Sequence, residues 1–587
     1  MIIKAKKESK RTQWILCGLG LILINVILTQ TIAHTLNYSS VLGQSYWRLY
    51  WPWMWMIWDI HYHQYYPDLF ITGYKRSIII ILIFKIMIVM IWLEKNRSNK
   101  GVHNLHGSAA FADKQNIIDA GLLSKEKHSG VFVGSWQDGK KLWFLRHDGP
   151  EHVLAFAPTR SGKGVGLVIP TLLTWPHSAV ILDIKGENWD LTAGWRQKEA
   201  NNVVLRFDPS SVDNSVSFNP LNEIRLETKY EVSDVQNIVS MIVDPDGKGH
   251  DDHWSKTGHA LLVGAILYCM YLAKKTHDVA TLKMVADLLS DPNRRITDVF
   301  DEMIQATWIR DGGYQVIAAS ARDMLNKSEN ERSGVLSTAM SFLTLYRDPI
   351  VAANTATSDF RIRDLMNYKH PVSLYLIIRP SDKNRLKPIV RLILNQIIRI
   401  LIEDMTYTHR LLLMLDEFPS LGRFQIFEEA LAYIAGYGIK AYLITQDLSQ
   451  LYGAYGHHES ILANCHIRVA YAPNKIETAR LLSEMLGVTT VVKKNMGISY
   501  GGGVMKSKRY SEHFQETKRP LLTPDECMTL PGPTRDSMGR ITKPGDMLVF
   551  CAGHRPIYGK QVLYFTDKEL TKRSTIATPN RLQTIAK

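Results

Sequence analysis

Two long apolar runs near the N-terminus are the first pattern in the distribution of hydrophobic and polar positions. They cover residues 14–33 and 77–93. The first is about 20 residues long, which is enough for a helix to cross a bilayer. Basic residues lie at the outer ends of both runs, at 4–11 and 95–100. By the positive-inside rule this predicts a two-pass membrane protein whose N-terminus and main body are cytoplasmic.

The segment between the two runs, residues 34–74, is predicted to be a short loop outside the membrane. It contains five tryptophans, at 47, 51, 53, 55 and 58. Indole rings favour the membrane interface, so an aromatic belt is the first interpretation, and a docking site for partner membrane proteins is the alternative. Lys85 interrupts the second run. Its side chain could snorkel to the interface, pack against another helix or serve a function, and packing within an oligomer is favoured.

Short, mainly apolar runs form the second pattern. They end at polar or glycine residues and cover 153–156, 178–183, 203–207, 372–378, 411–415, 440–446 and 467–471. Most of them alternate with helical periodicity, which predicts an α/β fold with a parallel sheet. From about 230 to 342 the periodicity is helical and strand signals are nearly absent, which predicts an all-α domain inserted into the sheet domain.

These patterns divide the chain into four predicted segments. Residues 1–100 form the membrane domain with its short periplasmic loop, and residues 101–224 form the first part of a nucleotide-binding domain. Residues 225–345 form the all-α domain, and residues 346–587 form the second part of the nucleotide-binding domain with a C-terminal segment. The 587 residues are too many for one hydrophobic core, in agreement with a division into several domains.

A glycine-rich turn follows the apolar run 153–156 and opens a helical pattern. Its predicted ATP-binding residues are Pro158, Thr159, Arg160, Ser161, Gly162, Lys163, Gly164 and Val165. In a P-loop the backbone N–H groups cradle a triphosphate and the lysine reaches its outer phosphates. The match is imperfect, because Ala157 replaces the first glycine and Gly164 replaces the hydroxyl that ligates Mg²⁺. A glycine-rich surface turn is the alternative interpretation of the loop alone.

The apolar run 411–415 ends in Asp416 and Glu417. A strand buried on both faces that delivers carboxylates at its C-terminal edge is typical of a Walker B motif. Asp416 is the predicted Mg²⁺ ligand, and Glu417 is predicted to orient and polarise the attacking water. An ordinary core strand that ends in an acidic loop is the alternative. With the P-loop in the same chain, the Walker B interpretation is favoured.

Gln446 ends the run 440–446 and is predicted to lie beside the strand that carries Asp416. There it would sense the γ-phosphate, although a glutamine that caps the next helix fits the sequence equally well. The catalytic set predicted from the sequence is therefore Lys163, Asp416, Glu417 and Gln446, with ATP and Mg²⁺ as the ligands.

Charge and cysteine content add constraints on partners and compartment. The formal net charge of +14 favours an anionic partner, nucleic acid or an anionic membrane surface. Positive-inside flanks explain part of that excess. The five cysteines are scattered without metal-ligand spacing, so they indicate neither a disulfide framework nor a zinc site, and they fit a reducing compartment.

The chain resembles the TraG-like type IV coupling proteins, the membrane-bound ATPases of conjugation and type IV secretion. The resemblance rests on the two apolar runs and on five segments in a fixed order: 158–164, 218–221, 415–418, 446–451 and 519–526. Gly164 in place of the P-loop hydroxyl is typical of this family, whereas Ala157 departs from its pattern.

The resemblance implies a RecA-like P-loop ATPase domain with an inserted all-α domain, acting as a homo-hexamer with nucleotide at subunit interfaces. It implies an inner-membrane protein that brings a relaxase with its single-stranded DNA, or secreted proteins, to the membrane components of a type IV secretion channel. It also implies an arginine that acts in trans on the phosphoryl group, for which Arg379, Arg385 and Arg423 are candidates.

Three functional hypotheses follow. The favoured one is a motor that drives single-stranded DNA and its attached relaxase toward the channel. The second keeps the ATPase and replaces the cargo with effector proteins. The third is a membrane receptor or scaffold in which the nucleotide only switches assembly. A chromosome translocase of the FtsK type fits the five segments poorly.

Overall fold

The computed structural model of the protein describes residues 20, 22–97, 105–123, 130–244, 249, 252–309, 312–500 and 508–585. The chain forms two compact units, Met1–Leu105 and His106–Lys587. The basic segment 1–11 and residues 14–19 of the first apolar run lie outside the described residues. Residues 501–507 also lie outside them.

The first unit is helical. Its helices are α1 (Ile22–Thr35), α2 (Met54–Tyr62) and α3 (Pro67–Arg97). The segment predicted to be a loop thus contains a helix, α2, because Trp55 and Trp58 are spaced to share one helix face and are buried. The Trp58 indole N–H donates a 3.0 Å hydrogen bond to the Leu42 carbonyl, and the ring packs in a small core with Ile32 and Phe70.

The two predicted membrane runs correspond to α1 and to the C-terminal part of α3. Several α3 positions within the second run have side chains outside the described part of the chain. Within the described residues, one helix, His253–Thr276 of the second unit, has the length and hydropathy of a membrane span. In the structure 67% of its apolar stretch is buried, as in the core helix of a soluble protein. Helix α1 is apolar but shorter.

The second unit is built on one large sheet. Its strands are β1 (Val131–Asp138), β2 (Lys141–His147), β3 (Val153–Phe156), β4 (Ser178–Asp183), β5 (Val203–Phe207), β6 (Val372–Ile377), β7 (Leu411–Asp416), β8 (Ile439–Thr445), β9 (Ile467–Ala470), β14 (Asp546–Cys551) and β15 (Ile557–Lys560). Two small two-stranded sheets complete the set, β10 (Val488–Tyr500) with β11 (Lys508–Pro520) and β12 (Thr534–Arg535) with β13 (Ile541–Lys543).

The strand order of the large sheet is β2-β1-β15-β14-β9-β3-β8-β7-β4-β6-β5. From β9 to β5 every pairing is parallel, and from β9 to β2 every pairing is antiparallel. The predicted parallel sheet is therefore present, with an antiparallel extension that the sequence patterns did not specify. The parallel strands are buried almost throughout, which is why they read as continuous apolar runs.

The helices of the second unit follow in chain order. They are α4 (Lys114–Asp119), α5 (Ile169–Leu172), α6 (Glu187–Lys198), α7 (Glu231–Val243), α8 (His253–Thr276), α9 (Leu282–Leu289), α10 (Ile296–Gln305), α11 (Gly313–Asn326), α12 (Glu329–Leu343), α13 (Pro349–Asn354), α14 (Asp364–Asn367), α15 (Lys383–Leu401), α16 (Gln425–Ala430), α17 (Leu448–Tyr455), α18 (Ile461–Asn464), α19 (Ile476–Leu486), α20 (Pro524–Met528) and α21 (Lys568–Ser574).

Between β5 and β6 the described residues contain helices α7 to α14 and no strand. These helices pack closely at α8 and α11, where a Cβ added to Gly264 would lie 1.7 Å from Ser320 Oγ. Their apolar residues share one hydrophobic core with one face of the sheet, for example Leu262 and Ile266 with Val180 and Leu413. The helical stretch belongs to the same compact unit as the sheet.

Candidate nucleotide-binding site

Three neighbouring parallel strands, β3, β8 and β7, end at the same edge of the sheet. In the register Phe156 pairs with Thr445, and Asp416 pairs with Ile444. The chain beyond each strand end carries one part of the predicted site: the glycine-rich loop after β3, Gln446 after β8 and Glu417 after β7. Ligands of open α/β sheets bind at this edge, outside the carboxyl ends of the strands. The topology thus brings together residues about 250 positions apart, as the 253-residue separation of Lys163 and Asp416 shows.

The loop after β3 curves through two left-handed residues, Arg160 with φ 60° and Gly162 with φ 91°. Pro158 and Ala157 are buried, whereas Thr159 and Arg160 are exposed. The chain then enters a π-helical turn, Gly164–Val168, that continues directly into α5. A loop that leads from a strand into a helix N-terminus presents backbone N–H groups to an anion.

Lys163 reaches the acidic end of β7. Its Nζ donates a 2.7 Å hydrogen bond to Asp416 Oδ1 and a 3.2 Å hydrogen bond to Glu417 Oε1. Burial raises the pKa of Asp416, and the Lys163 ammonium offsets part of that rise. Burial also acts to raise the pKa of Glu417, but Lys163 and Lys383 together outweigh it and the pKa is lowered. The lysine side chain is therefore held by two carboxylates, partners that an anionic phosphate can replace.

Glu417 has a strained backbone and a half-buried side chain that contacts three other side chains. Its φ of 54° is left-handed, a conformation that a non-glycine residue keeps when neighbouring contacts determine it. The carboxylate accepts a 3.2 Å hydrogen bond from Gln446 Nε2 on Oε1, and Lys383 Nζ lies 3.3 Å from Oε2. Three side chains from three different segments thus orient one carboxylate.

Lys383 is the site residue that sequence reasoning missed. It is the first residue of α15, shortly after β6 ends at the same edge of the sheet. The place of Lys383 at the start of the helix after β6 could have indicated this role, since a helix that follows a parallel strand begins near the ligand-binding edge. However, several other basic residues occur in the same helix, and the sequence does not distinguish Lys383 from them.

Gln446 has a side chain that points to Glu417 and a backbone that belongs to the turn before α17. The N-cap of α17 is Asp447, whose carboxylate accepts a 2.9 Å hydrogen bond from the Gln450 N–H. Capping, the alternative role considered for Gln446, therefore belongs to its neighbour.

Asp183, at the end of β4, is buried and accepts hydrogen bonds from backbone N–H groups at the start of α6. The Gly186 and Trp189 N–H groups both lie 2.9 Å from its oxygens. Burial raises the pKa of Asp183, and these backbone bonds offset part of the rise. The Asp183 carboxylate thus stabilises the turn between β4 and α6 by accepting hydrogen bonds from its backbone.

Ser161 and Gly164 show how the loop suits a phosphate and a cation. Among the described buried polar atoms, Ser161 Oγ has no hydrogen-bond partner. A buried hydroxyl without a hydrogen-bond partner destabilises the fold unless a ligand supplies the missing hydrogen bond. A phosphate oxygen is a suitable acceptor for it. A Cβ added to Gly164 would meet no atom within 4 Å, so space remains at the position where most P-loops carry a hydroxyl.

The three candidate trans-acting arginines differ in their surroundings. Arg385 is paired within its own chain, with Asp348 at 2.6 Å and Asp382 at 3.0 Å. Arg379 and Arg423 are exposed, and their guanidinium groups form no ion pair within the described part of the chain. Arg385 is thus held by carboxylates of its own chain, whereas Arg379 and Arg423 are accessible at the surface.

Known proteins resemble this chain both in sequence and in fold. The sequence profile of the family described as Type IV secretory system Conjugative DNA transfer matches residues 100–584. Two proteins of Escherichia coli, each called Conjugal transfer protein TraG, are 47% identical to this chain. One alignment covers 95% of this chain and 92% of the relative, and the other covers 98% and 95%.

Among solved structures, the plasmid coupling protein TrwB in complex with ADP and Mg²⁺ superimposes with a TM-score of 0.56 at 17% identity. The match covers 78% of this chain and 94% of TrwB. At this level of identity the likeness concerns the fold, which is the α/β P-loop architecture predicted from the sequence.

Proposed function

This chain belongs to the family of type IV secretory system conjugative DNA transfer proteins, and from that premise we propose that it is a membrane-associated coupling ATPase. It recruits a relaxase with attached single-stranded DNA, or a protein substrate, to a type IV secretion channel. ATP hydrolysis drives the transfer. The observation that carries this proposal is the convergence of Lys163 with Asp416 and Glu417 at one sheet edge.

The family assignment confirms the resemblance predicted from the sequence. The matched region, 100–584, includes the P-loop, the Walker B strand and every other segment on which the resemblance rests apart from the apolar runs. The relatives called Conjugal transfer protein TraG match over nearly their full length, so the comparison extends to the N-terminal segment as well.

The residues at this edge fit a nucleotide with Mg²⁺. The unpartnered Ser161 hydroxyl and the loop N–H groups suit phosphate oxygens. No cluster of three or more metal-ligating side chains occurs among the described residues, which fits a magnesium ion bound mainly by phosphate and water with one carboxylate, Asp416. When bound, Mg²⁺ neutralises charge that develops on the phosphates.

Lys163 and Glu417 have separate tasks in this mechanism. On nucleotide binding, Lys163 exchanges its carboxylate partners for phosphate oxygens and stabilises negative charge there. Glu417, released from Lys163, accepts a hydrogen bond from the attacking water and aligns it with the γ-phosphate. Gln446 and Lys383 keep the Glu417 carboxylate in place, and the Lys383 ammonium acts to lower the pKa of Glu417 after Lys163 has left.

A ring of subunits completes the site in our proposal. The chain acts as a homo-hexamer in which an arginine of one subunit reaches the phosphate bound by the next. Arg379 and Arg423 are the better candidates, because both are exposed and Arg385 already pairs with two carboxylates.

We further propose a two-pass inner-membrane topology and an inserted helical domain. The spans are residues 14–33 and 77–93, with the domain that carries the nucleotide site in the cytoplasm. The all-α domain is residues 225–345, which is supported by the run of helices between β5 and β6. The nucleotide-binding domain comprises 101–224 and 346–587, and residues 1–100 form the membrane domain.

The experiment measures ATP turnover by the full-length protein in nanodiscs, with and without single-stranded DNA, in wild type and in Lys163→Ala and Glu417→Gln. We expect turnover that rises with DNA and is lost in both variants. Because backbone phosphates dominate such binding, the stimulation falls as salt rises. A different result would identify effector proteins as the cargo. In that case DNA does not change ATP turnover, and the variants lose protein export but keep plasmid transfer.

A non-translocating scaffold gives a third outcome. In that case Glu417→Gln, which binds ATP without hydrolysis, keeps DNA transfer in cells, while Lys163→Ala loses it. The two variants therefore separate a motor, which needs turnover, from a switch, which needs only binding.

A further inference from the structure

The C-terminal part of the chain covers the outer side of the P-loop. The short hairpin β12–β13 and Gln561, which follows β15, both contact the loop. They lie 375 and 400 residues away from their loop partners in sequence. This contact involves no residue of the predicted catalytic set.

The contacts complete the hydrogen bonding of the loop backbone. A loop whose N–H groups converge on a phosphate turns its carbonyls outward, and those carbonyls need donors. The loop itself supplies two: the Ser161 N–H donates to the Pro158 carbonyl at 3.1 Å, and the Gly166 N–H donates to the Gly162 carbonyl at 2.9 Å. The Arg160 and Ser161 carbonyls accept from Arg535 and Gln561 instead.

Arg535 bridges the hairpin and the loop. One guanidinium nitrogen donates to the Arg160 carbonyl and another to the Gly539 carbonyl in the hairpin turn. Arg160 is the non-glycine residue of the loop in a left-handed conformation, which costs about 1 kcal/mol or more and persists when contacts enforce it. Arg535 is one such contact.

Gln561 is a buried connection between the same two parts. It is 2% exposed, and its Nε2 donates to the Ser161 carbonyl at 3.3 Å. Its Oε1 accepts from the Gly545 N–H at 3.2 Å, at the base of the hairpin. Ile541 of β13 adds an apolar contact, since its Cδ1 would lie 2.9 Å from a Cβ placed on Gly162.

We propose that Arg535 and Gln561 are positioning residues that hold the P-loop in its phosphate-binding shape, and that the β12–β13 hairpin responds to nucleotide in return. The inference rests on the proposed function, because it concerns the ATP bound there. It extends the nucleotide site to the C-terminal segment, a region in which no ATP-binding residue was predicted.

The main test measures binding of a fluorescent ATP analogue and the kcat of full-length protein in nanodiscs. We expect Arg535→Ala to weaken binding about tenfold, as loss of a hydrogen bond from a charged donor does, and to change kcat at saturating ATP by less than about twofold. Arg535→Lys restores part of the affinity, because the ammonium reaches one carbonyl and cannot bridge two.

Arg540→Ala is the matched control. Arg540 lies in the same hairpin turn and carries the same charge, but it pairs with Asp536 at 3.2 Å and has no hydrogen bond to the loop. The control should bind ATP as wild type does. Unchanged affinity in Arg535→Ala, or an equal loss in Arg540→Ala, overturns the positioning role.

A second measurement needs no variant at the hairpin. Coupling between two sites is reciprocal, so ATP should slow amide hydrogen exchange at residues 534–543 in wild type and leave it unchanged in Lys163→Ala. If ATP does not change amide exchange at these residues in wild type, the hairpin is not coupled to the nucleotide site. If Lys163→Ala binds ATP as well as wild type, the proposed function itself fails, which separates that failure from the failure of this inference.

Discussion

Two lysines at opposite edges of the same sheet, the half-buried Lys163 and the buried Lys440, differ in their partners. Lys163, at the C-terminal edge, is held by the carboxylates of Asp416 and Glu417. Lys440, near the start of β8, is 1% exposed and lies 2.7 Å and 2.9 Å from the carbonyls of Gly149 and Glu151 and 2.8 Å from His147 Nδ1. Its hydrogen-bond partners are thus two backbone carbonyls and an imidazole, while the charges of Arg410, Glu151 and Asp148 act on it from nearby.

The difference in partners separates a binding lysine from a structural one. Burial lowers the pKa of Lys440 to about 7, and Arg410 adds to the effect. Backbone carbonyls hold a loop onto β8 through this lysine but cannot be exchanged for a ligand. Carboxylates attract the Lys163 ammonium through charge-assisted hydrogen bonds and can be replaced by phosphate, so the partners indicate function more clearly than burial does.

The largest expected effect comes from Lys163→Ala. Loss of the ammonium should lower kcat/KM for ATP about 10³-fold, because the phosphate charge loses its main cationic partner. The melting temperature should stay close to that of wild type, since the side chains of Asp416 and Glu417, which lose the lysine, are 22% and 25% exposed to water. Colorimetric phosphate release and thermal melting measure the two quantities. Residual turnover near the wild-type rate would place the phosphate elsewhere.

Glu417→Gln separates hydrolysis from binding at the same lysine. The amide cannot accept a proton in the way a carboxylate does, so kcat should fall about 10²-fold. ATP affinity should be kept or improved, because Lys163 loses one competing carboxylate. Equilibrium binding and single-turnover hydrolysis give the two values. A parallel loss of affinity and turnover would contradict the assigned role of Glu417.

Lys440→Met tests the structural lysine. It should lower the free energy of unfolding by about 2 kcal/mol, since two buried carbonyls lose a donor, and leave kcat unchanged. Denaturant unfolding measures stability, and Lys568→Met, at an exposed helix start, is the control. A loss of ATP turnover without loss of stability would reverse the contrast between the two lysines.

The same variant predicts a pH dependence. The pKa of Lys440 is about 7 in the folded protein and near its ordinary value, about 10.4, in the unfolded chain. Between these values the unfolded chain binds more protons, so wild type should gain stability relative to Lys440→Met as pH rises from about 7 to about 10. Denaturant midpoints across this range measure the difference, and a constant difference would contradict the lowered pKa.

The smallest expected effect is that of Lys383→Met. Without this ammonium the pKa of Glu417 rises toward its ordinary range, so the acid limb of the pH dependence of kcat should move to higher pH. We expect a change of a few fold in kcat at neutral pH. Lys383→Arg, which keeps the charge, is the control. Identical pH profiles for Lys383→Met and wild type would show that Lys383 does not act on Glu417.

Sequence reasoning placed the strands of the site well because their burial on both faces leaves continuous apolar runs, as in 411–415. It also placed Asp416, Glu417 and Gln446 at neighbouring strand ends, since parallel strands share an edge. Lys383 and the contact of Arg535 with the P-loop depend on contacts between residues 34 and 375 positions apart. Such contacts leave no local pattern, because a basic helix start or a short hairpin has the same composition anywhere on the surface.

The first unit shows the same limit at shorter range. Five tryptophans in one segment suggested one common role, yet the structure divides them. Trp55 and Trp58 are buried and hydrogen-bonded through their indole N–H groups, whereas Trp47, Trp51 and Trp53 are exposed. Trp55 and Trp58 are three positions apart, and this spacing predicts that they are buried together only once α2 is known to form.

The most direct measurement is a structure of Glu417→Gln with ATP and Mg²⁺. We expect that Lys163 Nζ leaves Asp416 and lies about 3 Å from an outer phosphate oxygen, with residues 417 and 446 facing the γ-phosphate. A structure in which the 2.7 Å contact between Lys163 and Asp416 persists, and the nucleotide lies on another surface, would contradict it.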